Sequence, residues 1–129
     1  MANLKLTVLA ETLAVCRLNE NAPVPGWALL GGFFSVTRAQ KELSVVCLQQ
    51  NAPDMVKCER DWRALKVQGP LEFSMTGVLA ALAVPLAKAN VSIFAISTYD
   101  TDYVLVKQTT LEKAITVLRE EGFEIEENS

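Results

Sequence analysis

The 129-residue chain contains no histidine. That absence removes the side chain that most often acts as a general base near neutral pH. It also removes the usual partner of a serine or cysteine nucleophile and the commonest zinc ligand. Cysteine is scarce: Cys16, Cys47 and Cys58 form no C-x-x-C, and their odd number fits no closed disulfide framework. The expectation is three reduced, mostly buried thiols, as in a cytosolic protein. No basic run occurs and the formal net charge is -3, which argues against nucleic acid or an acidic membrane surface as a partner. The acidic cluster Glu120, Glu121, Glu124, Glu126 and Glu127 reads as a solvated end. Long apolar runs are missing too. The most apolar stretch, Gly77 to Ala89, is too short to span a bilayer. The stretch leading to Cys16 is interrupted by Glu11, and Leu4, Leu6 and Val8 alternate with Lys5 and Thr7. This is the pattern of a strand, not of a signal peptide.

What is present is the profile of a packed protein, with 50% hydrophobic and 21% charged residues. The second half is the clearer. Residues 62–68 alternate as a strand, and Gly69-Pro70 halts it. In "TGVLAALAVPLAKA" Val78, Leu79, Leu82 and Leu86 recur at helical spacing, with Pro85 predicting a kink near Ala81 and Asn90 a helix end. "VSIFAIS" and "DYVLVK" form a hairpin. "TTLEKAITVLREEG" is a second helix, capped by Thr109 or Thr110, striped by Leu111, Ala114, Ile115 and Leu118, and stopped by Gly122. "FEIEE" is a last strand. The order is β-α-β-β-α-β. The first half reads as a worn copy: strands at 4–10 and 12–18, about one helical turn in "VPGWALLGG", and a hairpin over 33–49 that parallels 93–108 and sets Glu42 against Asp102. The expected fold class is α+β, an internal repeat of about 60 residues with one copy degraded, divided at 1–60 and 61–129. A single α+β domain with a coincidental pattern is the alternative.

A β-α-β-β-α-β order suggests a split βαβ sheet, in which the first two strands are parallel with the third between them. The loop "GPLEFSMTG" and the turn in "STYDTDYVLVK" then meet at one end of the sheet. The helix start near Ser74 to Gly77 offers free N–H groups to an anion such as a carboxylate, and Gly77 lets a ligand approach. Asp100 and Asp102 offer acceptors to an ammonium or guanidinium. An anion site beside a cation site suits an amino acid. Plainer readings exist. Asp100 can serve turn geometry alone, and Ser74 or Thr76 can be a helix cap. The D-x-D pair lacks the further carboxylates or phosphate loop of a metal site. Two acids in one small hairpin do not flank the deep cleft that sugar hydrolysis needs.

With "GPLEFSMTGVLA" and "STYDTDYVLV" in combination, residues 62–123 closely resemble an ACT domain of the small tandem type. That type is similar to the regulatory domains of aspartate kinases and to cytosolic arginine sensors. Residues 1–61 look like the divergent first half of such proteins. The resemblance implies two ferredoxin-like ACT subdomains, the first degenerate, with paired sheets and an effector held between units. Carried over by position, Phe73, Ser74, Met75, Thr76, Gly77, Val78 and Leu79 would meet the ligand's backbone groups. Ile96, Ser97, Thr98, Tyr99, Asp100 and Asp102 would meet its ammonium or side chain. Trp27, Ser35 to Thr37 or a second chain would supply the facing wall. The first half departs from the pattern, since its first helix is nearly missing and Arg38 to Lys41 replaces the acidic turn.

These readings predict a cytoplasmic, non-catalytic regulatory protein that binds an amino acid, forms a dimer, and uses no cofactor or metal. The protein it regulates is not visible in the sequence. The competing expectation is a structural interaction module whose ligand site is vestigial. An enzyme is disfavoured by the missing histidines and by the lack of metal-ligand spacing or an activated nucleophile.

Overall fold

The two alternating stretches 4–10 and 12–18 form one strand, β1 (Lys5–Leu18), in the computed structural model, which describes residues 4–69, 71–72 and 76–127. Ala10 and Glu11 are both exposed, so the inward alternation loses its phase there and the sequence suggests a break. The backbone does not break, because its ladder changes partners. Lys5 to Val8 pair in parallel with β7 (Glu124–Glu127), and Leu13 to Leu18 pair antiparallel with β3 (Leu43–Leu48). A second long strand, β4 (Lys57–Val67), begins well before the expected Trp62. The remaining strands are β2 (Ser35–Arg38), β5 (Ile93–Ser97) and β6 (Asp102–Lys107), and the helices are α1 (Val78–Lys88) and α2 (Leu111–Glu120). The architecture is mixed α+β. Among the described residues no helix is long and apolar enough to cross a membrane.

The chain divides into two units, Met1–Ala10 with Arg63–Ser129, and Glu11–Trp62. In the larger, the strand order is β7-β1-β4-β6-β5. The β-α-β-β-α-β order from β4 to β7 is present, and β6 lies between β4 and β5. The last strand does not lie beside the first, because β1 is inserted between β7 and β4. Its core joins Leu6 and Val8 of β1, Leu65 and Val67 of β4, and Val104 and Val106 of β6 to both helices. Val78, Leu82 and Leu86 turn inward from α1, and Leu111, Ala114, Ile115 and Leu118 from α2. Each of the larger side chains contributes about 1.5–3 kcal/mol by leaving water.

Helix α1 runs through Pro85 as a single element. It ends where the sequence indicates: Asn90 takes positive φ, and the Val91 N–H reaches back to the Leu86 carbonyl at 2.9 Å. Gly122 ends α2 in the same way, with Phe123 N–H donating to Leu118 at 3.1 Å. The helix starts differ from expectation. Thr110 occupies the N-cap of α2, but its hydroxyl donates backwards to the Lys107 carbonyl at 3.1 Å. The acidic strand β7 is a solvated ladder: Lys5 lies 3.8 Å from both Glu124 and Glu126, exposed pairs that contribute little.

The smaller unit has the order β2-β3-β1-β4, with the 3-10 turn Gly26–Leu29 in place of a helix. Its buried cluster is Ala14, Cys16, Ala28, Val45, Cys47 and Ala52. The expectation of three free thiols is corrected here. Cys16 of β1 and Cys58 of β4 are disulfide-bonded, with Cα atoms 4.1 Å apart, and Cys47 alone is free. The sequence hid this pairing because "KCERD", Lys57 to Asp61, is too polar to announce itself as the start of β4.

Candidate functional site

The larger unit carries a cleft of about 300 Å³ at one end of its sheet, lined by the loop 71–72, the start of α1 and the β5–β6 turn. This is the lower end of the size range of small-molecule sites. The walls meet because β4 and β5 finish at the same end, as their crossover through α1 requires.

The turn is stitched to the loop by backbone groups and threonines. The Thr98 N–H donates to the Thr101 carbonyl at 2.8 Å, and the Thr101 N–H donates to the Thr98 hydroxyl at 3.2 Å. Thr101 is 5% exposed, and its hydroxyl donates to the Val67 carbonyl at 2.6 Å, fastening the turn to the end of β4. The Leu71 N–H donates to the Asp100 carbonyl at 2.6 Å. Gly69 permits this approach: a Cβ there would stand 3.0 Å from the Asp100 carbonyl oxygen and 3.3 Å from Thr101 Cβ. Removing the buried hydroxyl should therefore matter. Thr101→Val is expected to destabilise the chain by about 1–3 kcal/mol, read from urea unfolding.

With threonines holding the turn, the aspartates are released from that duty. The Asp100 carboxylate takes no part in these bonds and lines the cleft. Asp102 opens β6 opposite Ser97, whose hydroxyl donates to Asp102 Oδ1 at 2.5 Å. That bond orients the carboxylate and leaves lone pairs on both oxygens. Glu72 adds a third carboxylate to the lining. On the opposite wall Gly77 is the N-cap of α1, in the left-handed region at φ 79°. Among the described residues no side chain caps this helix, and Gly77, not Thr76, is its N-cap; Ser74 lies outside the described residues. The first-turn N–H groups of α1 can donate to an anion.

Of the residues expected at the site, Gly77, Val78, Leu79, Ser97, Thr98, Tyr99, Asp100 and Asp102 line the cleft. Thr76 and Ile96 do not; Ile96 pairs with Tyr103, whereas the neighbouring Ser97–Asp102 pair reaches the cleft. Phe73, Ser74 and Met75 lie outside the described residues. Trp27 and Ser35 to Thr37 belong to the smaller unit, where Trp27 packs against the alanine- and cysteine-rich cluster. Sequence reasoning missed Leu71 and Glu72, and did not single out Thr101 within the turn 96–102. Glu72 sits within the loop that was singled out, and its charge was the available signal. Among the described residues no group of three or more Cys, Asp or Glu side chains gathers as a metal site.

The cleft thus lies at one end of the sheet of a mixed α+β protein, between a helix N-terminus and an acidic hairpin. Residues 57–120 match the ACT domain model, and the chain belongs to the ACT-domain family. A separate family model for an N-terminal domain matches residues 11–55. Over 112 residues the chain is 39% identical to the "Cytosolic arginine sensor for mTORC1 subunit 1" of Rattus norvegicus, covering 80% of this chain and 32% of that protein. The human protein of the same name is 41% identical over 64 residues, of which this chain spans 20% of the length. A crystal structure of an Agrobacterium tumefaciens protein superposes with a TM-score of 0.93 at 35% identity, covering 98% of this chain and 95% of that one. The ligand-free regulatory subunit of aspartate kinase from Thermus thermophilus shares the fold, at TM-score 0.66 and 10% identity over 92% of this chain and 98% of that one.

Proposed function

We propose that the chain is a non-catalytic sensor module that binds an amino acid, preferentially a cationic one, in the cleft between residues 71–72 and 77–79 on one side and the turn 97–102 on the other. The observation that carries this reading is the charge of the lining. Glu72, Asp100 and Asp102 contribute three carboxylates, and no lysine or arginine is among the described lining residues. A cationic group would be held by Asp102, a carboxylate by the first-turn N–H groups of α1. The relatives named as arginine sensors make arginine the first ligand to try.

In this reading the halves 1–60 and 61–129 are two ACT-like subdomains of ferredoxin-like pattern, the first degenerate, with paired sheets. The chain acts in the cytoplasm as a dimer and passes its ligand state to a protein partner, with no cofactor. Isothermal titration of the folded chain against the standard amino acids tests it. Arginine or lysine should bind, and at 100 times Kd should stabilise the protein by about 2.7 kcal/mol, while aspartate and glutamate should not. Silence from every amino acid at millimolar concentration sinks the sensor reading. It would favour an interaction module instead, a role that the exposed Val24, Leu29, Leu30 and Phe34 of the smaller unit would suit.

A further inference from the structure

We propose that Cys16 and Cys58 form a reversible thiol–disulfide site that controls the stability of the smaller unit independently of the ligand cleft. The two residues lie 42 positions apart, and β1 and β4 bring their Cα atoms to 4.1 Å. A bridge between them therefore closes a long loop of the unfolded chain, where a cross-link has most to constrain. The unit needs that constraint. The buried cluster around the pair consists of Ala14, Ala28, Val45, Cys47 and Ala52, and the larger Leu18 and Trp27 that pack against it are only partly buried. Small side chains remove little apolar surface from water. The 3-10 turn Gly26–Leu29 stands where a helix would bury more, and Leu29 and Leu30 remain 49% and 54% exposed.

The pair is also asymmetric in access. Cys16 is 1% exposed, whereas Cys58 is only partly buried. Closure oxidises the two thiols by exchange with a low-molecular-weight disulfide such as oxidised glutathione. Two electrons pass to that disulfide, which leaves as two thiols, and the two cysteine protons go with them. Opening is the reverse: an external thiolate attacks Sγ of Cys58, the sulfur–sulfur bond breaks, and Cys16 leaves as the thiolate. A second external thiol then resolves the mixed disulfide. Cys47 does not compete, because burial raises its thiol pKa, against a smaller opposing effect of Arg60, and keeps it protonated.

The chain reports on this unit by itself. Trp27 and Trp62 are its two tryptophans, and both belong to the smaller unit. The full chain, treated with oxidised glutathione and alkylated after unfolding, should show one free cysteine and a linked Cys16–Cys58 peptide. After reduction it should show three. Reduction should lower the melting temperature followed by tryptophan fluorescence by roughly 10 °C. Cys47→Ala should keep that sensitivity, and Cys58→Ala should lose it. Three alkylated cysteines after oxidation, a link between two chains instead of within one, or a tryptophan melt that ignores reductant would each overturn the proposal.

Discussion

Replacing Asp102 with alanine should weaken binding of a cationic amino acid about 30-fold while leaving the fold intact. The size follows from what the carboxylate does. A hydrogen bond to a charged group contributes about 1.5–3 kcal/mol, and 2 kcal/mol is about a 30-fold change in Kd. Asp102 is the acid of the cleft that is already oriented, by the Ser97 hydroxyl at 2.5 Å, so little ordering cost remains when a ligand arrives. Asp100 lines the same cleft without such a partner and sits on the exposed tip of the turn. Solvent screening cuts its contribution, and Asp100→Ala should cost only about 3-fold. Ser97→Ala should fall between the two, because it releases the orientation of Asp102 without removing the charge. Titration calorimetry on the three variants gives the ranking, and far-UV circular dichroism checks the fold. If Asp100→Ala costs more than Asp102→Ala, the cation is held at the tip of the turn and the assignment is wrong. The same contrast separates the sensor from the interaction module, which predicts no ligand effect for any of the three.

The convergence of loop and turn was legible because it depends only on local patterns and on the handedness of one crossover. Leu82 and Leu86 announce α1 by spacing, Asn90 and Gly122 announce the helix ends, and the hairpin "IFAIS" to "DYVLVK" is bounded by its own polar turn. What was not legible depends on partners far away in sequence. Nothing near Ala10 and Glu11 says that β1 continues; its continuity comes from β7 at one end and β3 at the other. Nothing near Cys58 says that a polar pentapeptide is strand, or that Cys16 lies opposite it. The division of labour in the turn was left open for a related reason. Asp is the common turn residue, but here Thr98 and Thr101 make the turn's bonds. A hydroxyl can donate to Val67 across 34 positions, and no sequence pattern records that partner.

Leu82→Ala should destabilise the larger unit by about 2–5 kcal/mol, the range for a buried leucine truncated where its surroundings cannot collapse. Leu82 is fully buried between Val78 and Leu86 on the inward stripe of α1. Domains of this size hold only about 5–15 kcal/mol in all, so the variant should be folded but close to its limit. Val84, two residues from both Leu82 and Leu86 and 50% exposed, is the control, and Val84→Ala should change stability by no more than about 0.5 kcal/mol. Both α-helices belong to the larger unit, so urea unfolding followed by the helical circular dichroism signal reads that unit. The consequence for function is quantitative. Leu82 lies five residues after Gly77 and seats the helix whose first turn forms one wall of the cleft. A ligand that binds only the folded state adds about 2.7 kcal/mol at 100 times Kd, which would return most of what the truncation removes. Rescue of Leu82→Ala by arginine or lysine, and not by glutamate, would tie the ligand to the unit that α1 stabilises. A folded Leu82→Ala protein that gains nothing from any amino acid would separate the helix from the binding site and remove the α1 wall from the proposed mode of binding.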